Sequence, residues 1–279
     1  MAIITYKSNE LKETGQTLSM VAIATQMAIE HSYKILIVST NFKDQTLENC
    51  FWELDRLNKP IIKNQGHTTV GVTSGIEGLI KVLVSNKTST EIVKNYSKTV
   101  LRDRLDILLS PETEDYDEYT KICGNYSEIL RMADRYYDLV LVDLSSRMHY
   151  KEANDILSIS DLNVINITQR LKTIDDFIEL RQNDEFYKKT NILLLVGRYD
   201  AHSKYNVKNI TRYLKEKKQI LAIPYNTLYF EACSEGKVID YFLKLKNIDE
   251  NDRNHLFISE ANRADNAIIY KLQELQMKL

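Results

Sequence analysis

The chain has 279 residues, of which 43% are hydrophobic and 27% are charged, and its formal net charge is -2. This length and balance accommodate a large α/β domain with a sizeable core, and the near-zero charge argues against a strongly electrostatic nucleic-acid binder. Three scattered cysteines form no CxxC pair, which is typical of reduced, packed thiols and implies no metal site.

Short apolar runs alternate along the chain with longer segments of helical periodicity. Several runs are unbroken Ile/Leu/Val sequences, as is typical of strands buried on both faces of a parallel sheet. The predicted strands are 2–6, 34–39, 105–109, 139–144, 162–167, 192–196 and 219–223. The predicted helices are 16–30, 45–57, 76–84, 119–136, 174–187, 207–217 and 257–279. This rhythm predicts one α/β domain over 1–279, with a doubly wound, mostly parallel sheet and helices on both faces.

The loop after the first predicted strand has the layout of a phosphate-binding turn. Thr14, Gly15 and Gln16 lead into Thr17 and Leu18 at the start of a helix, where unpaired backbone N–H groups and the helix dipole favour an anion. A complete loop of this kind also needs a lysine for the phosphates and a hydroxyl for Mg²⁺. Thr17 supplies the hydroxyl, but the lysine position holds Gln16.

Two lysines lie near this loop in sequence. Lys7 and Lys12 could compensate for the missing cation, although neither has the right spacing. The alternative interpretation is an ordinary strand-to-helix connection in which Gly15 eases the turn.

A second candidate element is an apolar strand that ends in a carboxylate at Asp143. At the carboxyl edge of a parallel sheet, this aspartate would face the ligand crevice. Together with Thr17, it would supply oxygen ligands to the magnesium ion of a bound Mg-nucleotide. An apolar run that ends in aspartate is nevertheless common.

In order and spacing, these elements resemble the ParA/MinD family of P-loop ATPases, and within it the TadZ/CpaE-like branch found in Gram-positive bacteria. The resemblance covers nearly the whole chain. Its segments are 13–17, 34–40, 105–111, 137–143, 160–165, 196–200 and 223–226. It implies a P-loop NTPase-like fold, a homodimer, ATP or ADP with Mg²⁺ as cofactor, and a nucleotide site that also includes Arg198 and Pro224.

The sequence departs from the family pattern at several positions of the site. The family loop runs Lys-Gly-Gly-x-Gly-Lys-Thr, and its signature-lysine position falls on Leu11, one residue before Lys12. Two aspartates that follow the second strand in the family correspond to Ser39 and Asn41. An asparagine that meets the adenine base corresponds to Gly197.

These departures bear on hydrolysis more than on binding. Loss of one charge-stabilising donor costs on the order of 10²–10³ in rate, so we do not expect efficient ATP hydrolysis. Backbone N–H groups could still hold phosphates, which leaves two alternatives open: a bound nucleotide, or no cofactor at all.

The resemblance and the missing groups together favour a localisation or assembly factor with weak or absent hydrolysis. The resemblance suggests protein partners in a Flp/Tad-type pilus or a related secretion apparatus. The alternative is an active ParA-type ATPase that acts in plasmid or chromosome partition or in a conjugative element. Two short basic clusters, 188–189 and 215–218, are interpreted as solvated surfaces, so DNA binding is not favoured.

The sequence also bears on location. Its beginning lacks a signal-peptide pattern, and no apolar run approaches the roughly 18 residues of a membrane span. We therefore expect a cytoplasmic protein without an integral membrane segment. The last predicted helix is apolar on one side, but its polar face carries charges of both signs. Membrane-bound helices favour Lys and Arg there, so we expect this helix to pack on the domain or on a partner.

Overall fold

The computed structural model describes residues 1–10, 13–53, 75–84, 89, 91–189 and 191–277, without the side chain of Val84. Within these residues, eight strands form one sheet. They are β1 (Ala2–Ser8), β2 (Ile35–Ser39), β3 (Lys98–Leu101), β4 (Leu105–Leu108), β5 (Leu139–Asp143), β6 (Leu162–Ile167), β7 (Ile192–Tyr199) and β8 (Ile220–Pro224). Their order is β3-β4-β2-β5-β1-β6-β7-β8, and all neighbours are parallel except β3 with β4.

Helices connect the strands on both faces of the sheet. In the described part of the chain they are α1 (Gln16–Glu30), α2 (Thr46–Asn49), α3 (Gly75–Val84), α4 (Ile92–Tyr96), α5 (Tyr116–Cys123), α6 (Tyr126–Ala133), α7 (Tyr150–Ile159), α8 (Leu171–Asn183), α9 (Val207–Leu214), α10 (Thr227–Glu235), α11 (Val238–Leu245) and α12 (His255–Gln276). A short 3₁₀ turn, Glu185–Lys188, follows α8.

The side chains of each central strand alternate between two apolar layers, because successive residues of a strand point to opposite faces. In β1, Ile4 and Tyr6 pack in the layer that contains α1, α10, α11 and α12. Ile3 packs on the other face with α3 to α7. In β6, Ile165 packs in a third apolar cluster with α8 and α9. The predicted doubly wound, mostly parallel sheet is confirmed.

Each of the seven predicted strands overlaps an observed strand, but several helices differ from the prediction. The predicted helix 119–136 is two helices, α5 and α6. Gly124 interrupts it, and the side chain of Asn125 instead donates to the carbonyl of Lys121. The predicted helix 45–57 is wrong over 50–53. After Asn49, the N–H groups of Cys50 and Phe51 donate to carbonyls three residues earlier, as in a 3₁₀ turn. Residues 54–57 lie outside the described part.

Some elements escaped prediction because their patterns are weak. Strand β3 has four residues, and its first two side chains are exposed. Helix α7 buries only Ile156 and Leu157 of its ten residues. Helices α4, α10 and α11 are also short, with five to nine residues. The predicted helix 174–187 begins earlier, at Leu171, and its last residues belong to the 3₁₀ turn.

The long terminal helix α12 packs on α1 and β8. It carries a fully buried carboxylate, Asp265, whose Oδ2 lies 3.1 Å from Nε2 of His31 at the end of α1. Burial raises the pKa of Asp265 to about 6, and the neighbouring His31 acts in the opposite direction. No described helix is long and apolar enough to cross a membrane.

The buried Asp265 predicts a specific pH dependence of stability. A carboxyl group whose pKa is higher in the folded than in the unfolded protein makes the folded state less stable as pH rises through that range. The variant Asp265→Asn lacks this titration. From pH 5 to pH 7.5, the wild type should therefore lose unfolding free energy relative to Asp265→Asn, on the order of 1 kcal/mol. Urea unfolding at both pH values measures this difference.

The matched control is Asp240→Asn, at an exposed aspartate on α11. Its difference from the wild type should be the same at both pH values. If the difference for Asp265→Asn were also independent of pH, the assignment of a raised pKa to Asp265 would be wrong.

Candidate functional site

A cavity of about 690 Å³ lies at the carboxyl edge of the sheet. The segments that follow β1, β2 and β5 line it, together with the ends of β7 and β8. In an open α/β sheet, ligands bind in the crevice at this edge, where the connections of neighbouring strands diverge. Here the divergence occurs at β1, whose neighbours are β5 and β6.

The loop before α1 forms one wall of this cavity. Gly15 has a φ of +73° and precedes the first helical residue, and the N–H of Ser19 donates to its carbonyl over 2.8 Å. The N–H of Gln16 donates to Oγ1 of Thr14. No described residue accepts a hydrogen bond from the N–H of Thr17 or Leu18. The helix start therefore offers two backbone donors to the cavity.

The loop is held closely against the end of β7. Nδ2 of Asn166 donates to the carbonyl oxygen of Thr14 over 2.8 Å. A Cβ atom at Gly197 would lie 2.4 Å from the same oxygen, and one at Gly15 would lie 2.7 Å from Cγ of Arg198. This approach requires glycine at position 197. From the sequence, Gly197 is visible only as a departure from the asparagine of the family pattern.

A buried carboxylate forms the floor beneath the loop. Asp143 is fully buried, and three neutral side chains donate to it: Gln16 Nε2 at 2.6 Å, Thr17 Oγ1 at 2.7 Å and Asn41 Nδ2 at 2.7 Å. Gln16 Nε2 also donates to the carbonyl of Leu144 over 3.0 Å. Burial raises the pKa of Asp143, whereas the three hydrogen bonds favour its charged form.

The structure brings most of the predicted site residues together. Seven of them line the cavity: Thr14, Gly15, Gln16, Thr17, Leu18, Arg198 and Pro224. Asp143 lies below them and contacts Thr17, as a shared magnesium site would require. Lys12 lies outside the described residues, as does Leu11.

Two residues considered in the sequence comparison do not serve the cavity. Nζ of Lys7 lies 5.6 Å and 5.5 Å from the ring centroids of Phe186 and Tyr187, and Lys7 is absent from the described lining. Of the two lysines that could compensate, Lys7 therefore lies away from the described lining. The hydroxyl of Ser39 accepts from Ser110 Oγ over 2.8 Å instead of facing the cavity.

Two cations and four aromatic residues of the lining are absent from the sequence prediction. The aromatic residues are Phe42, Tyr225, Tyr229 and Phe230. Lys43 and Arg147 join Arg198 as the cations that line the cavity among the described residues. Tyr225 and Phe230 stand at the mouth, 52% and 48% exposed, with ring centroids 6.4 Å apart. Lys43 and Arg147 each follow a central strand by four residues, so the carboxyl ends of predicted strands were the signal that could have revealed them.

The close approach at Gly197 is testable by substitution. Gly197→Ala places a methyl group against the carbonyl oxygen of Thr14, so the loop or β7 must move. We expect a loss of about 1–3 kcal/mol in unfolding free energy, measured by urea unfolding. Gly124→Ala is the control, because its nearest neighbour would be 3.5 Å away; its effect should stay within about 0.5 kcal/mol. Equal effects of the two variants would contradict the packing described.

The fold, taken as a whole, is shared with known structures, although no family model and no curated protein matches the sequence. A ParA-family ATPase from Chlorobium tepidum is 15% identical, with a TM-score of 0.67 over 97% of this chain and 98% of that one. A chain of the MinC:MinD cell division complex of Aquifex aeolicus is 16% identical, with a TM-score of 0.60 over 95% of both chains. A putative plasmid partition protein from Borrelia burgdorferi, bound to AMPPNP, is 17% identical. Its TM-score is 0.54 over 99% of this chain and 98% of that one. At these identities the likeness establishes the fold alone, and it is the ParA/MinD type of P-loop NTPase fold.

Proposed function

We propose that this protein is a ParA/MinD-like localisation or assembly factor that binds a nucleotide in the carboxyl-edge cavity and hydrolyses it weakly or not at all. The observation that carries the proposal is the arrangement around Asp143. Gln16 stands at the position of the family's lysine, and Asn41 at the position of one of its acids. Both side chains are uncharged, and their amide groups donate hydrogen bonds to this carboxylate. The loop keeps the shape of a phosphate site without its central charge.

The cavity suits a nucleotide in size and in chemistry. Its volume, about 690 Å³, falls within the usual range for small-molecule sites. The N–H groups of Thr17 and Leu18, which donate to no described residue, suit phosphate oxygens. Arg198 is an exposed cation on the same wall, and its guanidinium can form paired hydrogen bonds to phosphate. The structural relative from Borrelia burgdorferi was solved with AMPPNP.

Magnesium would have few protein ligands in this site. Thr17 and Asp143 would supply one hydroxyl and one carboxylate, which are the oxygen ligands that Mg²⁺ accepts. When bound with a nucleotide, the ion neutralises charge on the phosphates. Both carboxylate oxygens of Asp143 already accept hydrogen bonds from Gln16, Thr17 and Asn41, which weakens this site for a metal.

Weak hydrolysis follows from the uncharged side chains at positions 16 and 41. Phosphoryl transfer depends on positioning and on charges that stabilise the transferring group. An amide at position 16 donates a hydrogen bond but carries no charge, and the amide at position 41 cannot accept a proton from an attacking water. No observation favours the alternative, an active partition ATPase, over this proposal.

The proposed role is to recruit protein partners, as a homodimer in the cytoplasm. MinD of Aquifex aeolicus was solved in complex with MinC, so the fold is compatible with partner binding. The sequence resemblance to the TadZ/CpaE-like branch points to a Flp/Tad pilus or a related secretion apparatus as the setting.

Nucleotide binding is tested by thermal unfolding with and without Mg-ATP. A ligand at 100 times its Kd stabilises the folded state by about 2.7 kcal/mol, which gives a visible rise in Tm. Arg198→Gln removes the cation with little change in length, so we expect Kd to rise by roughly tenfold. Arg212→Gln on α9, exposed and absent from the cavity lining, should behave as the wild type. No shift with either Mg-ATP or Mg-ADP would refute nucleotide binding.

Hydrolysis is tested by phosphate release at high protein concentration. We expect no robust Mg²⁺-dependent turnover, and Thr17→Ala should leave the background unchanged, because the groups that stabilise charge are absent. Turnover that is lost in Thr17→Ala would overturn the proposal of weak hydrolysis and favour the active ATPase. Binding and hydrolysis are thus judged by separate measurements.

A further inference from the structure

A second cavity, of about 410 Å³, lies at the opposite edge of the sheet. It is bounded by the segments that precede β7 and β8, so it opens at the amino ends of these strands. In the sequence, the two basic clusters 188–189 and 215–218 each have the pattern of an ordinary solvated surface. In the structure they converge here, although Lys189 and Lys215 are 26 positions apart in the chain. Five lysines line the cavity, and all are exposed: Lys188, Lys189, Lys215, Lys217 and Lys218.

Nearby acids neutralise only part of this cationic rim, because Glu185 pairs with Lys188. Glu216 accepts from Arg181 Nη1 over 3.0 Å, and its other oxygen accepts from the N–H groups of Lys217 and Lys218 over 2.9 and 3.0 Å. Glu216 thereby orders the loop that carries the lysines. Among the described residues, no carboxylate lies within ion-pair distance of Lys189, Lys215 or Lys217. The rim therefore holds positive charge that an anionic ligand would compensate.

The floor of the cavity is apolar. Phe177, Tyr187, Ile192 and Leu194 line it together with the lysines. The hydroxyl of Tyr187 donates to Asn9 Oδ1 over 2.8 Å, and its ring packs nearly perpendicular to the ring of Phe177. The cavity thus combines an apolar floor with a cationic rim. A free phosphate or the backbone of a DNA duplex would contact the rim alone and leave the floor unused.

We propose that this cavity is a docking site for an acidic peptide segment of a protein partner. One aromatic or aliphatic side chain of the peptide lies on the floor, and flanking aspartate or glutamate side chains pair with the lysine rim. Charge complementarity guides the encounter, and burial of the apolar side chain provides selectivity. This inference does not depend on nucleotide binding in the first cavity.

The test uses the full chain and a fluorescein-labelled eight-residue peptide, with one central phenylalanine flanked by glutamates. Fluorescence anisotropy at about 50 mM salt should show saturable binding, because surface ion pairs are less screened there. The double variant Lys189→Glu/Lys217→Glu should raise Kd at least tenfold. Lys244→Glu is the matched control, an exposed lysine on α11 outside the cavity, and it should change Kd less than twofold.

A peptide with alanine in place of phenylalanine should bind at least fivefold more weakly, because it leaves the floor uncovered. Equal binding of the two peptides would overturn the proposal. So would equal losses in the double variant and in Lys244→Glu. A 20-base-pair DNA duplex or inorganic phosphate that binds through these lysines while the peptide does not would assign the site to phosphate instead. If the double variant fails to fold by circular dichroism, Lys217→Gln replaces it, with a smaller loss expected.

Discussion

The buried carboxylate of Asp143 is the constraint on which the candidate site depends. A charge without solvent is costly unless hydrogen bonds compensate it, and Asp143 is fully buried at the end of a central strand. Its three donors come from the start of α1 and from the segment after β2. Satisfying one carboxylate therefore fixes two neighbouring loops relative to β5.

This arrangement separates the shape of a phosphate site from its charge. The shape depends on contacts that need no lysine: the amide of Asn166 on the Thr14 carbonyl, the close approach at Gly197 and the helix start after Gly15. The cations that line the cavity, Lys43, Arg147 and Arg198, come from other segments, and three acids line it as well: Glu10, Glu13 and Asp44. A loop without a lysine at position 16 can therefore hold this geometry, because the glutamine there makes the hydrogen bonds that anchor it.

The sequence predicted the sheet well because its strands are apolar runs buried on both faces, as in β5 and β6. It predicted the loop and Asp143 because each follows such a run. The sequence could not predict contacts between residues that are far apart in the chain. The packing of Gly197 on Thr14 joins residues 183 positions apart, and the cationic rim requires segments 188–189 and 215–218 to meet. Each basic cluster alone looks like ordinary solvated surface.

The two cavities lie at opposite ends of the same pair of strands. The carboxyl ends of β7 and β8 carry Arg198 and Pro224 at the first cavity, and the segments before their amino ends carry the lysines of the second. Buried, hydrogen-bonded parallel strands form a rigid connection. A peptide docked at the basic edge would therefore leave the carboxyl-edge cavity accessible and hold it at a fixed orientation. This geometry would separate the proposed peptide-docking surface from the proposed nucleotide site.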